Sequence, residues 1–199
     1  LGGCLMGSVR LYGATSGYLE LQAPDVAPDS TLVLPSDSVQ PGLVHLHTET
    51  FSGVSSVSID DVFSSTYDSY HLIFAGSGTT STQINIYLTS NGVSAGGATD
   101  YENQQIQAQG STLSAANFTE DSFRGPRIAA EMGVAEITIH YPAATSYTFQ
   151  QCFTTRQRDE MMNLRGGIHL QAVSYDGVKF ALYSGSMTGS LSIYGYRNN

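Results

Sequence analysis

The chain has 199 residues and a formal net charge of −9, and only 13% of its residues are charged. A protein that binds nucleic acid needs clustered lysines and arginines against the phosphates, but the eight basic residues of this chain are interspersed with acids. No apolar run approaches the roughly 20 residues of a membrane-spanning helix. We therefore expect neither nucleic-acid binding nor membrane insertion, and the 41% hydrophobic residues are enough for a packed core.

The first 42 residues differ from the rest of the chain. They form short alternating segments broken by Gly, Pro and Asp, and four of the six prolines lie here. Segments this short cannot bury a core within one chain, although several copies wrapped around one another could share one. We predict that residues 1–42 are an extended attachment and trimerisation arm and that residues 43–199 are a compact head domain.

The segment LVHLHTE, residues 43–49, is the best candidate for a metal site. On a regular strand, His45, His47 and Glu49 point to the same face. Two imidazoles at positions i and i+2 could share one structural metal ion, and three such pairs could surround the axis of a trimer. The alternative is an exposed strand edge with two ordinary histidines, and we expect no other cofactor.

Apolar and polar residues alternate along most of the remaining chain, which is the main sequence signal for β-strands. The pattern is seen in QINIYL (83–88), AEITIHY (135–141) and SYTFQQCF (146–153). In the last of these, Tyr147, Phe149, Gln151 and Phe153 share one face. Turn clusters rich in Gly, Asn and Ser separate the segments. The sequence therefore predicts an all-β protein, an antiparallel β-sandwich of the jelly-roll-like kind.

A few local structures are also predicted. The segments 126–133 (PRIAAEMG) and 158–163 (RDEMMN) are the only ones that favour a short helix. Asp176-Gly177 is typical of a two-residue type I′ hairpin turn. The two cysteines, Cys4 and Cys152, are too few for a disulfide framework, and we expect a buried free thiol at Cys152.

Several tyrosines and two arginines are candidates for contacts with a ligand or a partner. A phenol ring has an apolar face and a hydroxyl, so tyrosines near turns suit recognition surfaces, although they suit packing between subunits equally well. The mixed charges of RQRDEMMNLRGG predict an exposed contact loop, with a solvated turn as the alternative. The candidates are Tyr67, Tyr70, Tyr87, Tyr101, Arg156, Arg158, Tyr194 and Tyr196.

Signatures of catalysis are weak. The adjacent acids Asp60-Asp61, Glu120-Asp121 and Asp159-Glu160 would point to opposite faces of a strand, so they could not flank one scissile bond. The sequence lacks a GxSxG nucleophile elbow, a phosphate-binding Gly-rich loop before a helix and a DxDxDG calcium loop. We expect a protein that is not an enzyme and has no catalytic residues.

The order of several motifs resembles virion proteins of tailed bacteriophages. GSVRLYGATSGYLELQAPDVAPDSTLVLPSD (7–37) resembles the short module that precedes the folded head of tail-fibre proteins. FSGVSSVSIDDVFSSTYDSYHLIF (51–74), AEITIHYP (135–142) and GSLSIYGYRN (189–198) resemble strands of the β-sandwich domain in the same proteins. The resemblance implies a homotrimer that is attached to other virion proteins through its N-terminal arm.

The resemblance also implies a function and a location. The first expectation is a tail-fibre receptor-binding head that recognises a host surface glycan, since Ser, Thr, Tyr and Asn side chains bond sugar hydroxyls. The alternative is a capsid decoration (cement) protein that stabilises the phage head, and the third is a small fibre-borne hydrolase. In each case the protein would lie on the virion, at the tail-fibre tip or on the capsid surface.

Overall fold

The computed structural model describes residues 8–12, 18–22, 42–156 and 161–197. Contacts divide the chain into two units, Leu1–Val39 and Gln40–Asn199. In the first unit, β1 (Ser8–Tyr12) and β2 (Tyr18–Gln22) pair antiparallel. The assignment of an attachment arm and a head domain to the two parts of the chain stays a prediction.

The second unit consists of two antiparallel sheets. The eight-stranded sheet has the order β3-β15-β5-β11-β12-β13-β8-β9, and the five-stranded sheet has the order β10-β6-β14-β4, with β7 paired to β6. The strands are β3 (Gly42–Val54), β4 (Ser56–Ile59), β5 (Tyr67–Gly78), β6 (Thr82–Ser90), β7 (Val93–Ser94), β8 (Tyr101–Gln109), β9 (Thr112–Glu120), β10 (Phe123–Ile128), β11 (Gly133–His140), β12 (Thr148–Arg156), β13 (Met161–His169), β14 (Gly177–Leu182) and β15 (Met187–Arg197). The predicted all-β, sandwich-like fold is confirmed.

The core lies between the two sheets and is built by strict alternation. Ile84, Ile86 and Leu88 of β6 are fully buried, as are Ile137 and Ile139 of β11, which confirms the two-residue period of both segments. Stacked aromatic rings link the two sheets. The centroid of the Phe74 ring lies 6.1 Å from that of Phe51 and 6.3 Å from that of Phe180, which belongs to the five-stranded sheet. This apolar layer fixes which side chains of each strand face outward.

The alternation in β12 and β13 has the opposite polarity. Tyr147, Phe149, Gln151 and Phe153 share one face as predicted, but that face is exposed, and the buried positions between them are polar or small. On β13, Leu164 is 54% exposed. The exposed apolar side chains that β8, β9, β12 and β13 carry on this side of the sheet, here called the outer apolar face, are Ile106, Leu113, Phe149, Phe153, Met162 and Leu164.

The predicted hairpin turn at Asp176-Gly177 is wrong. A hairpin turn needs a strand that ends directly before it, but residues 170–176 are not a strand. Gly177 begins β14, which pairs with β4 and β6. Asp176 instead anchors two loops, because its carboxylate accepts a hydrogen bond from the Asn91 N–H at 2.9 Å. The turn with the required geometry is Asn91-Gly92, where φ is 51° and 75° and Ser90 pairs with Val93.

The two predicted helices are also wrong where the structure describes them. Residues 126–133 include the end of β10 and the start of β11, while β13 already begins at Met161, and 158–160 lie outside the described residues. In β10 the pairing with β6 shifts between Arg124 and Arg127, where Pro126 has no N–H to donate. Within the described ranges we find no helix that is long and apolar enough to span a membrane.

Candidate functional site

A cleft with a volume of about 630 Å³ lies where the chain crosses from one sheet to the other. β9 ends at Glu120 in the eight-stranded sheet, and β10 begins at Phe123 in the five-stranded sheet. We call this opening the polar cleft. The side chains on its walls are Gln83, Asn85, Glu120, Asp121, Arg124, Arg127 and Tyr183.

Strand pairing places amides and arginines side by side in the polar cleft. Because Ile84 and Ile86 face the core, Gln83 and Asn85 of β6 must face outward. β10 pairs with β6 so that Arg124 lies opposite Asn85 and Arg127 lies opposite Gln83. The backbones are close here: a Cβ at Gly125 would lie 2.9 Å from the Ile84 carbonyl oxygen, so only glycine fits without a backbone shift.

A buried asparagine holds the crossing between the sheets. The side-chain amide of Asn103 donates to the Ser122 carbonyl at 3.0 Å, and its oxygen accepts from the Arg124 N–H at 3.0 Å. Both hydrogen bonds lie inside the protein, where the loss of either partner would be costly. Asn103 thereby fixes the backbone from which the Arg124 side chain enters the cleft.

Arg124 and Glu120 form a saturated pair. The Arg124 Nε donates to one Glu120 carboxylate oxygen at 2.9 Å and NH2 donates to the other, while NH1 is 3.4 Å from the Gln83 side-chain oxygen. The guanidinium carbon also lies 3.3 Å from the ring centroid of Phe118. A bidentate pair with a stacked guanidinium is rigid, so it serves as a preformed wall of the cleft.

Arg127 and Tyr183 are the available groups of the cleft. Arg127 is half-buried; its Nε is buried and has no hydrogen-bond partner among the residues that the structure describes, so its terminal NH₂ groups are the donors that could meet a ligand in the cleft. The Tyr183 ring is 89% exposed. A planar set of N–H donors, side-chain amides and an open aromatic face is a combination that can bond sugar hydroxyls and stack on a sugar ring.

The adjacent acids were expected to point apart, and one pair does not. Glu120 and Asp121 both line the polar cleft, because Glu120 is the last residue of β9 and the alternation ends there. Arg124 occupies both carboxylate oxygens of Glu120, which leaves that residue poorly placed to deliver a proton. Asp60 accepts a hydrogen bond from the Thr89 hydroxyl at 3.3 Å, and Asp159-Glu160 lies outside the described residues.

Two of the predicted contact tyrosines, Tyr70 and Tyr101, are core residues and cannot touch a ligand. The Tyr70 hydroxyl donates to the Ser64 carbonyl at 2.9 Å, and that of Tyr101 donates to the Ala95 carbonyl at 3.0 Å. Burial raises the pKa of both phenols. Both rings are fully buried because their strand positions face the other sheet.

The other contact candidates fall in different places. Tyr87 lies beside the polar cleft, since a Cβ at Gly96, which lines the cleft, would be 3.6 Å from its ring. Tyr67, Tyr194 and Tyr196 are part-exposed on the eight-stranded sheet and do not line the cleft. Nothing about their surroundings distinguishes ligand contact from packing between subunits.

The prediction of an exposed contact loop around Arg156 and Arg158 is wrong for the first of them. Arg156 is the last residue of β12 and faces inward, buried, with its NH1 at 3.4 Å from the Ser81 hydroxyl. Arg158 lies outside the described residues. Cys152 on the same strand is a buried free thiol as expected, and burial raises its pKa.

The premise of the metal site at His45 and His47 is wrong. Ile193 pairs with His47 and Tyr194 with His45, so Leu46 is an extra residue that forms a β-bulge and resets the alternation. His45 contacts the Thr48 hydroxyl at 2.8 Å on one face, while His47 contacts the Glu49 carboxylate at 3.3 Å on the other. Within the described part of the chain, no three His, Cys, Asp or Glu residues are arranged to hold a metal ion.

Sequence reasoning missed Arg127 and Tyr183, which are the available groups of the cleft. Tyr183 follows directly after β14 and was visible only as one more aromatic residue in an alternating segment. The models of known protein families do not match this chain, and no curated protein matches it significantly. The interpretation of the cleft therefore depends on its own chemistry.

Proposed function

We propose that this chain is a non-enzymatic virion protein of a tailed bacteriophage, namely a trimeric tail-fibre head that recognises a host surface glycan in the polar cleft. The observation that carries the glycan assignment is the open Tyr183 ring in a cleft that is also lined by the Arg127 guanidinium and the amides of Gln83 and Asn85. The order of the sequence motifs supports the phage assignment.

The charges of the polar cleft favour a hydroxyl-rich ligand over a polyanion. Two arginines face two carboxylates across the cleft, and one of each is already paired as Arg124 with Glu120. A nucleic acid would meet an acidic chain of net charge −9 with no excess of cations in the cleft. Saccharide hydroxyls can both donate and accept, which suits a mixture of amide, guanidinium and carboxylate groups.

The outer apolar face supports the assembly of three chains. It contains aromatic and aliphatic side chains on neighbouring strands: Phe153 pairs with Leu164, which in turn pairs with Ile106. Acidic chains repel one another wherever they carry charge, so they associate best through an uncharged surface. Exposed apolar patches of this kind mark protein interfaces.

Immunogold electron microscopy of intact virions, with an antibody against this chain, tests the proposal. We expect gold at the tail end, together with binding of the purified protein to host cells. A receptor-binding head that lacks residues 1–42 should still bind cells, more weakly because fewer heads engage at once. Gold on the tail without any cell or saccharide binding would contradict the glycan assignment.

The outer apolar face also favours a second function, that of a capsid decoration protein, because cement proteins work through protein–protein contacts alone. In that case gold would cover the phage head. Deletion of residues 1–42 would then abolish attachment to expanded heads, while full decoration by the truncated chain would exclude attachment through the arm. The polar cleft would have no saccharide ligand.

A further inference from the structure

A group of polar side chains is buried between the sheets behind the outer apolar face. Thr148, Gln150, Asn163 and Arg165, here called the inner polar cluster, are each no more than 2% exposed. They belong to the adjacent strands β12 and β13, where Arg165 lies opposite Cys152 and Asn163 lies opposite Thr154. Gln150 and Asn163 lie on the same face one position to either side of the Arg165–Cys152 pair, so Arg165 lies between them, and Thr148 lies farther along β12.

Most hydrogen-bonding atoms of the inner polar cluster have no partner. Arg165 uses only its Nε, which donates to the Gln105 side-chain oxygen at 3.0 Å. Both terminal NH₂ groups of Arg165, both amide atoms of Gln150 and of Asn163, and the Thr148 hydroxyl have no partner among the residues that the structure describes. Buried polar atoms are nearly always satisfied in proteins, so a small species that accepts and bridges these groups is required.

The charge of Arg165 indicates the chemical class of the small species that bridges these buried groups. The charged side chains that act on Arg165 are Arg124, Arg127 and Glu120, and Glu120 is already bound to Arg124. Burial lowers the pKa of Arg165 to about 10, so the guanidinium is still cationic at neutral pH. Water can satisfy amides, but it does not neutralise a buried cation that has no carboxylate partner within the described part of the chain.

We propose that the inner polar cluster binds a monovalent inorganic anion, chloride, held by the terminal NH₂ groups of the buried Arg165. One excess positive charge calls for one negative charge, and a monovalent ion loses less hydration on burial than phosphate or sulfate does. The anion would be a structural component of the sandwich. This site is independent of the proposed glycan recognition.

Thermal unfolding at constant ionic strength tests the anion site, with chloride replacing gluconate stepwise. A ligand that binds only the folded state raises the unfolding midpoint, and we expect an increase of about 3 °C for the wild type in chloride. Arg165→Met should remove this dependence. Lys179→Met is the matched control, because it removes one positive charge from β14 of the five-stranded sheet and should keep the chloride dependence.

A second measurement avoids the possibility that the Arg165 variant fails to fold. Crystals of the wild-type protein grown in bromide should give an anomalous diffraction peak beside the Arg165 guanidinium. Equal unfolding midpoints in chloride and gluconate, or density beside Arg165 without anomalous signal, would overturn the proposal and show that the inner polar cluster holds water only.

Discussion

The two halves of the eight-stranded sheet have opposite polarity although they are continuous. In β5 and β11, apolar residues such as Leu72 and Ile137 face the core. In β12 and β13, the inward positions include Thr154 and Asn163, and the apolar side chains such as Leu164 face outward. A two-residue period therefore identifies a strand without revealing which face packs within the chain, because a second chain can cover an apolar face as well as the opposite sheet can.

The largest effect should come from the conventional half of the sheet. Phe74 stacks on rings from both sheets, so Phe74→Ala should lower the free energy of unfolding by about 3–5 kcal/mol. Thr154→Val, at a buried position of the inverted half, should change it by less than about 1 kcal/mol because the shape is kept. Urea denaturation followed by circular dichroism measures both. Equal losses would show that the two halves are energetically alike.

The next largest effect should be on assembly. Leu164→Glu places a charge in the middle of the outer apolar face, and we expect association between chains to weaken about 100-fold. Sedimentation-velocity ultracentrifugation should show a monomer for the variant and the proposed trimer for the wild type. Val93→Glu on β7 is the matched control, since Val93 is exposed but belongs to the other sheet. A wild type that sediments as a monomer would remove the role proposed for this face.

A smaller effect is expected at the polar cleft. Tyr183→Ala and Arg127→Ala should each reduce the affinity for host surface polysaccharide about 10-fold, which is a typical cost for losing one ring contact or one charged donor. Biolayer interferometry with immobilised polysaccharide measures this. Tyr147→Ala is the control, because Tyr147 is also an exposed tyrosine, at 48% against 89% for Tyr183, but lies outside the cleft. Equal losses for Tyr147→Ala and Tyr183→Ala would argue against the cleft as the binding site.

The smallest effect should be a dependence of stability on pH through His169. Its Nδ1 contacts the Asp100 carbonyl at 3.2 Å and its Nε2 contacts the Tyr175 hydroxyl at 2.6 Å, which suits the neutral imidazole. Burial lowers the pKa of His169 below its ordinary value of 6.5. The unfolded chain then binds a proton before the folded one does.

Stability should accordingly be constant above pH 6.5 and fall as the pH drops below it, until the folded-state pKa is passed. Urea unfolding curves at several pH values measure this slope. His169→Gln should remove most of the slope between pH 6.5 and the folded-state pKa. A variant with the same pH profile as the wild type would show that other groups cause the slope.

Local patterns predicted the strands well and the turns and contacts poorly. QINIYL and AEITIHY alternate because each strand faces a core, and that signal is present in the residues themselves. The choice between Asn91-Gly92 and Asp176-Gly177 as the hairpin turn depends on hydrogen bonds between distant segments. Both dipeptides carry the local signal of a type I′ turn, so the local pattern alone does not separate them.

The candidate site was less predictable than the fold, for two physical reasons. The bulge at Leu46 comes from the register with β15, so the separation of His45 from His47 could not be seen in LVHLHTE. Tyr70 and Tyr183 are alike in sequence terms, yet one faces the opposite sheet and the other faces solvent. The sequence also does not show which arginine pairs with Glu120. The structure pairs Arg124 with it, so Arg127 is the arginine of the cleft that Glu120 does not bind.

Hydrogen–deuterium exchange mass spectrometry of the full chain, with and without purified O-polysaccharide and capsular polysaccharide of the host bacterium, tests glycan recognition most directly. Saccharide binding in the polar cleft should slow exchange in β6, β10 and the segment around Tyr183, and leave β12 and β13 unchanged. Unchanged exchange throughout, or protection confined to β12 and β13, would contradict recognition of a glycan by this cleft.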